Sequence, residues 1–564
     1  MKKNIKITLA AIFLIGAVFA CKDSFLDTPP QAALSNTLLA SGKNGVNATL
    51  ISAYKSLVGW TGNWNEAAWG TAPSNWTFNS ASDDAHKGSE PGDLDDVLTF
   101  ELYQWNSTNG IIRSKWVSTY EGIVRANSAI NTAKEFLKTN ASEKAYAEEI
   151  IGEATFLRAF YHFEGYKMWK NIPYYFETDT DFQKPNDQAV LPLIIKDLET
   201  AIGLLPANKT STGRTDKTIA TAFLGKAKLY GGDYAGAKAA FDIVIASGKY
   251  SLADCFYDNF SVTGDNNKES VFAVQNSVND GAGDGDNSNF GERLALPHGS
   301  SPYGCCGFKN PTYDLAYAYK VDADGLPISV DGATLKRIEA GAPDLLDPRL
   351  DYSMGRTDVP YLDWGVQKND WIRGSGYAGW YTPKKNAHAK GDASLSGSWA
   401  GAQLSNLNVE LMRYADVLLM AAEAEVEAGS LTKAQEYVNM IRKRAGNCAQ
   451  GAGGNLKVAI DAPEITWAKY KVGTYTAAWT NKDAARAAVR NERRLELALE
   501  GHRLFDLQRW GNLVDVMSKF HAREKVLVPV LGNAAAPAAK NLAFPLPSTE
   551  IDRSGGKLKQ NAGY

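Results

Sequence analysis

The chain has 564 residues, a formal net charge of −3, 44% hydrophobic residues and 22% charged ones. That balance is ordinary for a globular protein with a large core, and it offers no basic surface for nucleic acid or an anionic membrane. Length alone would suggest three or four domains, but the repeats described below override that reading.

Residues 1–20 read as a targeting segment and stay outside the fold. Lys2, Lys3 and Lys6 precede a fourteen-residue apolar run, ITLAAIFLIGAVFA, too short to cross a bilayer comfortably. Small Ala20 then stands before Cys21, which resembles a bacterial lipoprotein box in which the Cys carries the lipid. An ordinary secretory signal followed by an incidental Cys is the alternative. Lipidation at Cys21 would leave the mature chain anchored rather than inserted.

Four further cysteines, Cys255, Cys305, Cys306 and Cys448, would sit in a disulfide-permissive compartment. Adjacent Cys305 and Cys306 either bridge each other through a tight turn or pair with distant partners. The absence of C-x-x-C spacing argues against zinc.

Helical periodicity begins at 44–58. The stretch WTGNWNEAAWGTAPSNW follows, with Trp60, Trp64, Trp69 and Trp76 interrupted by turn-formers, then an acidic run containing Asp83, Asp84, Glu90, Asp93, Asp95 and Asp96. These oxygens could ligate calcium but lack EF-hand spacing, so a solvated acidic loop is expected and the metal question stays open. Helices resume at 112–137 and 143–169, the second ending before Pro173.

The pattern then becomes repetitive. AVLPLIIKDLETAIGLLP is one helix, and two more meet at Gly231-Gly232-Asp233. The plan returns in LMRYADVLLMAAEAEVEAGSLTKAQEYVNMIRKRAG, read as a long helix, a turn at Gly429 and a second helix stopping at Gly446. GDYAGAKAAFDIVI resembles the second helix of a tetratricopeptide repeat, and such pairs stack into a superhelix. Between about 250 and 405 the helical period vanishes into Gly, Asn, Asp, Pro and aromatic residues, an irregular insertion of the kind that carries function.

In RNERRLELALEGHRLFDLQRWG, Leu495, Ala498 and Leu499 fall on one helical face, with Glu500–Arg503 and Asp506–Arg509 as pairs three residues apart. Glu492, Glu496 and Glu500 could form an acid–base cluster, but neutralisation by Arg493, Arg494 and Arg503 is the plainer reading. No H-E-x-x-H, P-loop or G-x-S-x-G occurs and the six histidines are scattered, so no enzyme and no cofactor are expected.

Jointly, RNERRLELALEGHRLFDLQRWG, LMRYADVLLMAAEAE, GEATFLRAFYHFEGYKMWKNIP, CKDSFLDTPP and PLPSTEIDRSGGKLKQNAGY make the chain resemble the SusD/RagB family of outer-membrane nutrient-binding lipoproteins. GCCGF and DPRLDYSMG resemble segments of some members. The resemblance implies a mainly α, tetratricopeptide-like scaffold with a large loop-rich insertion. It also implies a cell-surface location, a SusC-type TonB-dependent transporter as partner, and binding in place of catalysis. One SusD-like domain over 21–564 is expected, with scaffold at about 44–250 and 405–520 and a ligand-facing insertion at about 250–405.

A saccharide offers flat C–H faces to aromatic rings and hydroxyls to amides, carboxylates and cations. The expected ligand-binding residues are Trp64, Trp69, Trp76, Asp83, Asp84 and Lys87 in the first group, and Tyr303, Trp364 and Trp380 in the insertion. Trp76 with Asp83 and Asp84 leads, followed by Trp364 with Trp380, and at least half of the tryptophans are expected in the core. An assembly subunit or transporter lid with peptide cargo is the competing class, and a surface glycosidase the third.

Overall fold

A computed structural model describes residues 36–59, 69–209, 211–283, 287–391, 394–397 and 402–564. Residues 1–20, Cys21, Trp60 and Trp64 lie outside the described residues.

Helices α1 (Lys43–Lys55), α2 (Gly110–Thr139), α3 (Lys144–Trp169), α4 (Leu191–Leu204), α5 (Lys217–Tyr230) and α6 (Tyr234–Ala246) stack in sequence, each against the next. After the long excursion of residues 247–408 the stack resumes with α7 (Tyr414–Ala428), α8 (Leu431–Ala445) and α9 (Lys482–Leu497), and α7 packs directly on α6. This is the tetratricopeptide-like helical scaffold.

Local chemistry sets the helix ends. Asn109, Asp216, Asp233, Ser430 and Asn481 each cap the helix that follows by accepting a backbone N–H. Gly232 takes φ +78° in the turn between α5 and α6, where an L side chain would be strained. Gly122 of α2 lies so close to the Tyr161 ring of α3 that a Cβ would sit 2.7 Å from it. Helix α3, flanked by α2 and α4, buries residues around its whole girth, which explains the apolar run in AFYHF.

Two readings of the sequence need correction. The first three residues of the LMRYADV segment, Leu411 to Arg413, close a strand, β2 (Val409–Arg413), paired antiparallel with β1 (Ser270–Val274), and the helix begins only at Tyr414. Helix α9 ends at Leu497, and Leu499 has φ +65°, so Ala498 and Leu499 belong to a turn before α10 (Arg503–Arg509) and α11 (Leu513–Glu524). Gly501 in that turn has φ +80°, and a Cβ there would collide with the Ser74 carbonyl.

Cys255 bridges Cys448, with Cα atoms 5.6 Å apart, tying the start of the excursion to the end of α8. Cys305 bridges Cys306.

The C-terminal block is the electrostatic hub. Buried Glu496 accepts from Arg349 Nη1 at 2.9 Å, from Arg413 Nη1 at 2.8 Å and from Arg444. Glu492 meets Arg442 and Arg349 at 2.7 Å, and Glu500 meets Lys385 at 2.7 Å and Arg413 at 2.8 Å. Arg493 joins Asp416 at 2.5 Å to Asp506 at 2.7 Å. The expected Asp506–Arg509 pair forms at 2.9 Å, whereas Glu500 turns away from Arg503 toward Arg413 and Lys385. The three glutamates are thus neutralised by cations from other elements, not by Arg493, Arg494 and Arg503. Burial acts to raise the pKa of Glu496, but Arg444, Arg413 and Arg349 hold it far below the carboxylate range, so it carries no proton for acid catalysis.

Candidate glycan-binding site

The acidic stretch after the tryptophan-rich loop is divided: Glu90 and Asp95 are exposed as expected and Asp93 and Asp96 half-buried, whereas Asp83 and Asp84 lie inside the protein. Asp83 accepts from Arg503 Nε and Nη2, both at 2.7 Å, and Asp84 accepts from Arg494 Nε at 2.8 Å, all within the protein. Burial opposes ionisation of Asp83, and the Arg494 and Arg503 guanidinia overcome it and depress its pKa. Lys87 is also sealed, its ammonium donating to the carbonyls of Glu90 at 2.8 Å and Asp93 at 2.6 Å. Asp83 and Asp84 lock the loop onto the C-terminal block, Lys87 ties it back on itself, and all three are buried away from any ligand at the surface. Among the described residues no group of three or more His, Cys, Asp or Glu side chains is arranged to hold a metal ion.

Trp76, the leading candidate, has no exposed surface. Its indole N–H donates to the Gly291 carbonyl at 2.8 Å and its ring packs on Phe308 at 5.7 Å. Tyr303 is buried as well, its hydroxyl donating to the His388 carbonyl at 2.8 Å. Both are removed as stacking platforms, because a ring enclosed on both faces cannot meet a sugar.

Three of the predicted rings keep exposed surface: Trp69, Trp364 and Trp380. Trp69 stacks on Phe290, with ring centroids 5.4 Å apart and planes inclined by 23°, and the Arg293 guanidinium lies 5.2 Å from its centre. Phe290 and Arg293 belong to a 3₁₀ turn, Phe290–Ala295. Side chains three apart eclipse on such a turn, so one short segment delivers both the supporting ring and the cation to the indole. Trp69 and Cys305 both pack, half-exposed, on one small buried cluster containing Ala72, Trp76, Leu294, Ala295, Cys306 and Phe308. Trp364 donates its indole N–H to the His388 carbonyl at 2.9 Å and meets Tyr303 edge-on at 5.5 Å. Trp380 faces the Arg337 guanidinium at 4.5 Å.

Each exposed indole is therefore held by its polar N–H or by a neighbouring ring or cation while part of its surface stays open. Such an arrangement provides a rigid apolar face with adjoining hydrogen-bond donors and no reactive group. Arg293, Arg337 and His388 escaped the sequence reading. Only the eclipsed spacing of Phe290 and Arg293 could have signalled one of them.

A stacked-helix scaffold that presents anchored aromatics on irregular loops defines a protein that binds, and the comparisons with known proteins agree. The model of the SusD family matches residues 268–564, and that of a SusD-like family described as starch-binding and associating with the outer membrane matches 24–230. The chain belongs to the SusD family, a family of carbohydrate-binding proteins and not of enzymes. SusD-like protein P38 of Formosa agariphila is 25% identical over 561 residues, covering 94% of this chain and 96% of its own, and SusD-like protein P2 of the same organism is 26% identical over 81% of each chain. Among solved structures, a laminarin-binding SusD-like protein superposes with a TM-score of 0.65 at 23% identity, over 93% of this chain and all of the other. Surface glycan-binding protein A from Bacteroides thetaiotaomicron, solved with laminarihexaose, does so with a TM-score of 0.65 at 21% identity, over 92% and 99%. The family description carries association with the outer membrane. No helix among the described residues is long and apolar enough to cross a membrane.

Proposed function

We propose that this chain is a lipid-anchored, cell-surface protein that captures an oligosaccharide through aromatic stacking and hands it to a SusC-type TonB-dependent transporter. The observation that carries the saccharide reading is the half-exposed Trp69 indole, backed by Phe290 and flanked by Arg293, in a member of a carbohydrate-binding family. Trp364 and Trp380 extend the same chemistry. The relatives solved with or named for laminarin and its hexasaccharide support a glucan as the first ligand to try. Cys21 supplies the lipid anchor, and the helical stack bears the loops.

A ligand that must later be released should be held weakly, and one stacked ring supplies about 1 kcal/mol. Calorimetry with laminarihexaose, maltohexaose and a glycan array tests the reading. Trp69→Ala should weaken binding about fivefold. Trp364→Ala and Trp380→Ala, tested singly, show which of them joins the site. Retention on a SusC-type transporter with no affinity for any saccharide would favour an assembly subunit or a peptide cargo instead. Cys21→Ala should release the protein from the membrane.

A further inference from the structure

A cleft of about 730 Å³ lies along one side of α2. Its floor is a stripe of that helix, Tyr120, Val124, Ser128 and Asn131, spaced three and four apart so that all face one way. The segment after α3 forms one wall with Tyr175 and Phe182, and the C-terminal residues Arg553 and Leu558 contribute to the other. None of these residues lies on the loops that carry Trp69, Trp364 or Trp380.

The walls are fixed in place. The Tyr120 hydroxyl donates to the Pro173 carbonyl at 3.0 Å, Asn127 to the Tyr175 carbonyl at 3.1 Å and Asn131 to the Glu177 carbonyl at 2.8 Å. The Tyr175 hydroxyl donates to the Phe182 carbonyl at 2.8 Å, and Gln183 reaches the Arg553 carbonyl at 3.0 Å. A cleft of this size with pinned walls is a preformed pocket within the range that ligands occupy.

The lining is chemically distinctive. Phe182 is 76% exposed and Val124 55%, although both are large and apolar. Tyr120 and Tyr175 are half-exposed and meet edge-to-face at 5.9 Å. The charges, in contrast, are matched internally. Glu135 pairs with Lys138, Asp179 with Lys184 and Glu177 with Lys134 and Arg158, all at 2.5 Å, and Glu550 pairs with Arg553 at 3.0 Å. A charged ligand finds little unmatched countercharge here. A neutral ligand with flat C–H faces finds open rings, and its hydroxyls find the exposed Ser128 hydroxyl and Asn131 amide.

We propose that this cleft is a second binding site, for a neutral oligosaccharide, separate from the loop face. Two weak sites on one protein hold a polymer more tightly than either alone, because the second contact is intramolecular. The proposal shares its ligand class with the reading given above but none of that reading's residues.

The test uses the full chain and a panel of neutral and acidic oligosaccharides that includes laminarihexaose and maltohexaose, by calorimetry and on the immobilised polymers. The variants are Phe182→Ala, Tyr175→Ala, the cleft-filling Val124→Trp, and Trp69→Ala. Phe182 and Val124 are exposed, so their replacement leaves the core intact, and a thermal melt checks this. The expected result is about five- to tenfold weaker binding of a neutral glycan in Phe182→Ala and Val124→Trp. It also includes residual binding in Trp69→Ala that disappears when Phe182→Ala is added. Loss of all binding in Trp69→Ala, with cleft variants identical to the parent, overturns the cleft and leaves the loop site standing. Loss in the cleft variants with none in Trp69→Ala supports the cleft and sinks the loop site. Binding of acidic glycans only, or of none, overturns the proposal.

Discussion

Asp83 receives two parallel hydrogen bonds from Arg503, each 2.7 Å long, across 420 positions of sequence. This clasp fastens the segment behind the tryptophan-rich loop to the first residue of α10, just past the turn that follows the last stacked helix. Asp83→Asn should therefore cost about 3 kcal/mol of stability, the range seen when a buried ion pair loses one partner. Urea denaturation measures it, and glycan affinity of the folded protein should stay unchanged. Lost affinity at undiminished stability would return Asp83 to the ligand site.

Glu496 sits among Arg349, Arg413 and Arg444 with no exposed surface. Glu496→Ala leaves three guanidinium groups short of a partner, and about 3–5 kcal/mol should be lost. A drop of less than 1 kcal/mol in denaturant titration would show that the arginines repartner freely.

His86 lies between Glu101, 2.8 Å from Nδ1, and Glu524, 3.0 Å from Nε2. Burial acts to lower its pKa, but the hydrogen bonds to both carboxylates prevail and raise it to about 9. The neighbouring His521 is driven the other way by burial, to about 4, and stays neutral throughout. Because the folded protein holds the His86 proton more tightly than the unfolded chain, whose histidine titrates near pH 6.5, the stabilisation is complete below about pH 6.5. It is lost as pH rises through 9. Melting temperature should fall between pH 6.5 and 9.5, and His86→Gln should flatten that slope. An unchanged slope in the variant would assign the effect elsewhere.

The Cys255–Cys448 bridge closes a loop of 193 positions, for which chain entropy gives up to about 5 kcal/mol. Replacing both cysteines by Ser should lower the denaturation midpoint accordingly. Peptide mapping without reduction should recover the Cys255 and Cys448 peptides joined, and Cys305 and Cys306 linked within one peptide.

Gly501 leaves no room for a methyl group beside the Ser74 carbonyl and has a left-handed backbone. Gly501→Ala should be more damaging than Gly232→Ala, where nothing lies within 4 Å of the added carbon, and parallel melts compare the two.

The helices were legible because periodicity is local. The pattern over 143–169 matches Lys144–Trp169, and Gly231-Gly232-Asp233 marks the turn between α5 and α6. The strand Val409–Arg413 was missed because its apolar residues run on into those of α7, and its partner lies far off in the sequence. Exposure of single rings was not legible at all. Trp76 and Trp69 share one loop of similar composition, yet Phe308 and Gly291 enclose the first while Phe290 supports the second from one side. Those partners come from segments more than two hundred positions away. The same holds for Asp83 and Asp84, which spacing alone groups with the solvated acidic run and which Arg494 and Arg503 pull inside, while Glu90 and Asp95 stay exposed. The cleft on α2 went unnoticed because its lining comes from a helix, a connection and the C-terminus, none of them conspicuous alone.

Strands β1 and β2 lie side by side, so the stretch between them, residues 275–408, begins and ends at one seam next to α7. The excursion is also stitched down elsewhere, by Arg349 on Glu496, by Lys385 on Glu500 and by the Cys255–Cys448 bridge. Insertions and deletions should therefore gather in the loop tips between those fastenings, where length can change while the buried ion pairs stay intact.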